Sequence, residues 1–107
     1  MAISYVVIMV AVADRQEAKN LCMKLLEEKL IACANVVGPV SSHFHWVGKI
    51  ETAEEYIVFM KSRADLFKTI SERITELHSY EVPEILALNV VNGSKKYLDW
   101  LESVLQL

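Results

Sequence analysis

Stretches dense in valine and isoleucine alternate along this chain with stretches whose leucines recur every three or four residues. That alternation restricts the fold more than any other feature, because the two periods belong to strands and to amphipathic helices. Ile3 to Val12 reads as a strand. Asp14 then has the character of an N-cap with Glu17 at capping-box spacing. Ala18, Leu21, Cys22, Leu25, Leu26 and Leu30 mark an amphipathic helix from Asp14 to about Lys29. Strand character returns at Ile31 to Val37, is interrupted by Gly38-Pro39, and resumes with a period of two from Val40 to Val47. Gly48 to Ala53 reads as a turn and Tyr56 to Lys61 as the returning strand of a hairpin. Ser62 with Asp65 opens a second helix, with Leu66, Phe67, Ile70, Ile74 and Leu77 as its buried stripe. Pro83 precedes a strand from Glu84 to Val91. Asn92-Gly93-Ser94 starts a last short helix through Tyr97, Leu98, Trp100, Leu101, Val104 and Leu105.

The order is β-α-β-β-α-β-α, and 107 residues make one domain, residues 1–107. Two right-handed β-α-β crossovers predict an α+β ferredoxin-like sandwich, a four-stranded antiparallel sheet with two helices on one face, a long β-hairpin and a C-terminal helix. Two helices cover one face only. Yet Tyr5 to Val10, Tyr56 to Met60 and Ile85 to Leu88 are apolar on both faces, where a half-solvated strand alternates. Residues 31 to 47 as one strand would run about 56 Å at roughly 3.3 Å per residue. That exceeds a globule of this size, whose radius of gyration is about 13 Å. Either Gly38-Pro39 bends the strand or the hairpin projects onto a neighbour, and both favour a homo-oligomer.

Composition limits the function. Eleven lysines and arginines against fourteen aspartates and glutamates leave a net charge of −3 and no footprint for nucleic acid. Cys22 and Cys33 form neither a disulfide framework nor a C-x-x-C pair, which fits a reducing, cytoplasmic compartment. No apolar run approaches the roughly 18 residues of a membrane span. Tyr5 to Ala13 imitates a secretion signal, but no lysine or arginine precedes it and it reads as a core strand. No phosphate loop, nucleophile–base pair or paired-carboxylate spacing points to an enzyme.

Two local patterns carry chemistry. His43-Phe44-His45 places two imidazoles on one face of a strand, about 6.5 to 7 Å apart, a spacing that lets both reach one metal ion or leaves both as polar surface positions. His78-Ser79-Tyr80-Glu81-Val82-Pro83-Glu84 gathers an imidazole, a phenol and two carboxylates in a helix-to-strand connection. It suits a Cu²⁺ or Zn²⁺ site, or equally a helix C-cap with His78 against the helix dipole.

Five stretches in order resemble the CutA divalent-cation tolerance family nearly end to end. They are Leu26-Glu-Glu-Lys-Leu-Ile-Ala-Cys-Ala-Asn35, Trp46-Val-Gly-Lys-Ile-Glu51, Lys61-Ser-Arg63, His78-Ser-Tyr-Glu-Val-Pro-Glu84 and Tyr97-Leu-Asp-Trp100. The resemblance implies a homotrimer joined by the hairpin and the sheet edges, with Cu²⁺ bound at clefts between subunits. The family's histidine and glutamate ligands fall on His78 and Glu84, with Tyr80 and Trp46 as cleft walls. A cysteine that some members carry near the end of the first strand is Val10 here. Gly38-Pro39 stands for the usual Pro-Gly, Ser79 for a proline and Val47 for a polar residue; His43 and His45 replace commonly aliphatic, aromatic or arginine positions, so a metal site there would be peculiar to this chain. The family's trimer also resembles that of the PII signalling proteins. The alternative is therefore a module that senses an anionic or nucleotide effector through Lys49, Lys61 and Arg63.

Overall fold

A computed structural model describes residues 3–106. The elements follow the order β1 (Tyr5–Val12), α1 (Arg15–Glu27), β2 (Cys33–Trp46), β3 (Lys49–Arg63), α2 (Phe67–Leu77), β4 (Ile85–Asn89) and α3 (Lys95–Val104), with a 3₁₀ turn at Ala64–Leu66 before α2. The four strands form one antiparallel sheet in the order β2-β3-β1-β4. This is the ferredoxin-like α+β sandwich.

The helix-covered face is a dry core. Val6, Ile8, Val10 and Val12 of β1 and Val58 and Met60 of β3 are buried with Ala18, Leu21, Cys22 and Leu25 of α1 and Ile70 and Ile74 of α2. Helix α1 starts where Asp14 accepts the Glu17 amide at 2.8 Å, and Glu17 Oε1 accepts the amide of Ala13, one residue before the N-cap, at 3.3 Å, a variant of the expected capping box. It ends in a Schellman arrangement. The Leu30 amide reaches the Leu25 carbonyl and the Lys29 amide the Leu26 carbonyl, with Lys29 at φ 57° where glycine is usual.

The hairpin differs from expectation. Its turn is two residues, Val47 (φ 48°) and Gly48 (φ 74°), and β3 resumes at once with Lys49. Gly48 to Ala53 is thus mostly strand. Its polar Lys-Ile-Glu-Thr run hides a strand that faces solvent on both sides of a projecting arm. Residues 49–55 of β3 pair with β2 alone, because β1 ends at Val12 opposite Tyr56. The arm stretches the longest dimension to 45 Å, and β2 breaks register between Val37 and Val40 at the glycine-proline pair. The strand is thus interrupted at Gly38-Pro39, and the hairpin projects beyond the rest of the sheet. Gly38 is required there, since a Cβ would stand 2.6 Å from the Tyr56 ring.

Two other boundaries move. Ser62 does not cap α2. It lies buried in β3 and donates its hydroxyl to the Leu30 carbonyl at 2.6 Å, tying β3 to the connection between α1 and β2. β4 stops at Asn89 rather than Val91.

The second face of the sheet stays apolar. By register, Val7 and Met9 of β1, Ile57 and Phe59 of β3, Val37 of β2, and Leu86 and Leu88 of β4 share it. Leu86 is 51% exposed and Leu88 53%. Helix α3 covers one end only, through Tyr97 Oη at 3.4 Å from Cys33 Sγ and Glu102 bound to Tyr5 Oη and Arg63.

Candidate functional site

A groove of about 850 Å³ opens between the base of the hairpin arm and the connection from α2 to β4. Ala11 lies at the end of β1. Ser42, Phe44 and Trp46 of β2 and Glu51, Ala53 and Glu55 of β3 line the groove from the open face, with Tyr80 to Glu84 along the other side. His43 and Thr52 also line it, bonded to each other through Nδ1 and Oγ1 at 3.0 Å. Four carboxylates, Glu51, Glu55, Glu81 and Glu84, and one imidazole thus line the groove, and no lysine or arginine does. Such a lining attracts a cation and repels an anion.

Three consecutive residues fasten the connection to three elements. The His78 amide closes α2 on the Ile74 carbonyl, and its ring is fully buried. Ring Nε2 stands 2.7 Å from the Ala11 carbonyl, which only accepts, so Nε2 carries the proton. Nδ1 then accepts the Tyr80 amide at 3.0 Å. Ser79 donates its amide and its hydroxyl to the two oxygens of Glu17, each at 2.9 Å. Tyr80 crosses to the open face and donates its hydroxyl to Glu55 Oε2 at 2.7 Å. Burial first, then the hydrogen bond to Glu55 and its charge, pushes the Tyr80 phenol far above the usual tyrosine range.

The fold thus gathers Trp46, Tyr80, Glu84 and His43 at one groove and separates the other expected residues from it. His78 adopts the capping arrangement: both ring nitrogens bond main chain, Nδ1 also lies 3.5 Å from Glu17 Oε2, and its ring packs against that of Tyr80, 4.8 Å away between centroids. In the single chain neither nitrogen is left free for a ligand, which favours the capping alternative for His78. His45 lies opposite Ile50 nearer the arm's tip, outside the groove. Among the described residues no three His, Cys, Asp or Glu side chains stand ready to hold a metal. The three cations expected for an anionic effector do not converge here. Lys61 bonds Asn35 Oδ1, Arg63 pairs with Asp65 at 2.9 Å and Glu102 at 3.0 Å, and Lys49 stands beside the hairpin turn.

Glu55 and Glu17 escaped sequence reasoning. Glu55 looks like one polar residue of a solvated pair, Glu54-Glu55, and only the pairing of Tyr80 with β3 singles it out. Glu17 had a sufficient role as a cap, and its second task needs the loop 62 residues away.

No helix among the described residues is long and apolar enough to cross a membrane. Comparison with known proteins places the chain in a family and matches its fold. The family model described as CutA1 divalent ion tolerance protein matches residues 6–104. Protein CutA, chloroplastic, of Arabidopsis thaliana is 37% identical over 98 residues, 92% of this chain and 54% of that protein. The chain thus spans about half the length of that plant relative. The divalent-cation tolerance protein CutA of Thermus thermophilus is 36% identical over 95 residues, 89% of this chain and 92% of that one. The crystal structure of CutA1 from Oryza sativa superposes with a TM-score of 0.94 at 34% identity, covering 97% of this chain and 95% of that one. With the family model spanning β1 to α3 and the same fold in a relative one-third identical, the chain belongs to the CutA1 divalent ion tolerance family.

Proposed function

We propose that this chain serves divalent-cation tolerance as a homotrimer, binding Cu²⁺ first and Zn²⁺ second in grooves completed at the clefts between subunits. The role is binding, with no catalysed reaction. One observation carries it: the groove unites four carboxylates with His43 and contains no positive side chain. Imidazole nitrogen and carboxylate oxygen are donors that copper and zinc both accept. His43 and Glu84 are the ligands within reach of the groove, and Tyr80 and Trp46 form its walls. His78 bears on the site by holding Tyr80. His45 would serve a second position toward the arm's tip. A single chain supplies an incomplete set of ligands, so water or a second copy completes it.

The trimer is supported by the open sheet face. Leu86, Leu88, Val37 and their neighbours form an apolar surface that two helices and α3 leave uncovered, and neighbouring copies of the same chain are its most economical cover. Both cysteines are free, consistent with the cytoplasm.

The test is a calorimetric titration of metal-stripped protein with Cu²⁺, comparing wild type with the double variant His43→Ala, Glu84→Ala. A loss of at least tenfold in affinity at unchanged oligomeric mass is expected, and unchanged affinity refutes the ligand assignment. The double variant His78→Ala, Glu84→Ala separates the two histidines, since a loss no larger than that from Glu84→Ala alone removes His78 from the ligands.

A further inference from the structure

We propose that Asn92 is a modification site, converting without an enzyme to aspartate and isoaspartate through the Gly93 main-chain nitrogen, and that the isoaspartate form loosens the start of α3. The inference is independent of the cation reading above.

The chain has four asparagines, Asn20, Asn35, Asn89 and Asn92, and all are exposed. Exposure therefore does not separate them, and the main chain that follows each one does. Asparagine is thermolabile because the next main-chain nitrogen attacks its side-chain carbonyl carbon when the two are free to meet. Asn20 precedes Leu21 within α1 and Asn35 precedes Val36 within β2, where hydrogen bonding fixes the main chain. Their side chains are engaged as well: Asn20 Oδ1 accepts from Gln16 at 2.9 Å, and Asn35 Oδ1 accepts from Lys61. Asn89 precedes Val90, whose amide is committed to the Tyr5 carbonyl at 3.0 Å. Asn92 differs. Residues 90–94 belong to no helix or strand, and the Gly93 amide donates to no main-chain carbonyl among the described residues. Glycine also has no side chain to shield that nitrogen or to restrict its approach.

The step balances with water as the only co-reactant. The Gly93 nitrogen gives its proton to hydroxide and bonds to Cγ of Asn92. The Cγ–Nδ2 bond breaks, and Nδ2 takes up a proton and leaves as ammonia. The cyclic imide then adds one water. Opening at Cγ breaks the bond just made and restores the main chain with aspartate at position 92. Opening at the main-chain carbonyl carbon leaves Gly93 joined through Cγ, which is isoaspartate, with one more methylene in the main chain.

That methylene enters two residues before the cap of α3. Ser94 accepts the Tyr97 amide on its hydroxyl at 3.3 Å and the Leu98 amide on its carbonyl at 3.0 Å. Gly93 packs so closely on Leu98 that a Cβ would stand 3.1 Å from it. A longer main chain at position 92 displaces both contacts. Aspartate keeps the original length and sets its charge before a helix N-terminus, where it is favourable. The two products therefore act differently on α3, the helix that brings Leu101 to the core and Glu102 to Arg63.

The experiment incubates the full chain in mildly alkaline buffer and follows the tryptic peptide of residues 74–95, which holds both Asn89 and Asn92, by fragmentation mass spectrometry. Conversion should occur at Asn92 at least tenfold faster than at Asn89, and within tenfold of its own rate in the urea-unfolded chain. It should quicken as pH rises, and Asn92→Gln, whose imide would need a larger ring, should abolish it. Amide exchange at Tyr97 and Leu98 should rise at least tenfold in the chromatographically separated isoaspartate fraction and stay at the wild-type rate in freshly prepared Asn92→Asp. A margin over Asn89 below tenfold overturns the proposal, as does protection of Asn92 by more than tenfold in the folded protein. Exchange in the isoaspartate fraction equal to that in Asn92→Asp overturns the effect on α3.

Discussion

Leu88 gives the sharpest test of the uncovered sheet face. It lies on β4 opposite Val7, on the side away from α1 and α2, and 53% of it is exposed in the single chain. Complete burial of a leucine stabilises by about 1.5–3 kcal/mol, so covering the remaining half contributes about 1 kcal/mol per copy. Over three copies this is about 3 kcal/mol, which is about a hundredfold in the assembly constant. Leu88→Ala should weaken the trimer by up to that factor. Leu88→Glu adds an unpaired carboxylate to a buried interface, costing about 1–3 kcal/mol or more per copy, and should dissociate the assembly at micromolar concentration. The chain's own core lies on the other face and should be left intact. Light scattering at about 10 μM should read three times 12.2 kDa for wild type and 12.2 kDa for Leu88→Glu, with unchanged circular dichroism. A wild-type mass of one chain refutes the reasoning. So does a trimer undisturbed by glutamate at position 88.

The polar fastening of the site gives three more predictions. Glu17→Ala strips two hydrogen bonds from Ser79 and one from the Ala13 amide, and should cost about 1–3 kcal/mol in urea unfolding. It should also raise amide exchange at Ser79 and Tyr80 above that of Glu17→Gln. Val47 holds φ 48° while 84% exposed, a conformation hostile to a β-branched residue, so Val47→Asn should stabilise the chain by about 1 kcal/mol in the same assay. Tyr80 should ionise after an ordinary tyrosine, whose pKa is about 10, in an absorbance titration at 295 nm, and Tyr80→Phe should remove that late step. The sign for stability follows. Above pH 10 the unfolded chain loses this proton and the folded chain keeps it, so the contribution is complete below about pH 10 and falls as pH rises further. Equal alkaline stability of wild type and Tyr80→Phe contradicts this.

Much of the fold was legible because its signals are local. Asp14 and Glu17 mark the start of α1, and the buried stripe of Ile70 and Ile74 marks α2. Apolar residues on both faces of three strands mark the uncovered surface in the sequence itself. The arm was misread at its return because a two-residue turn needs positive φ at both positions, which valine at 47 conceals. Ser62 has the residue type of a cap, and only its distance from the Leu30 carbonyl reveals a cross-strand tie. The site was half legible for the same reason. His78-Ser79-Tyr80 stands out as a polar cluster, yet which side chain enters the groove depends on three anchors set 67, 62 and 25 residues away. Residue type named the cluster, and tertiary pairing assigned the tasks within it.

The central claim is that the folded protein binds a divalent cation directly. Its most direct test is a calorimetric titration of metal-stripped wild type with Cu²⁺ near pH 7, with Zn²⁺ and a nucleotide as comparisons. The account predicts saturable binding of both metals at a simple ratio per trimer, none of the nucleotide, and loss of metal binding on acidification as the ligands take up protons. Non-saturable metal uptake, or saturable binding of the nucleotide alone, would contradict it and return the effector reading to first place.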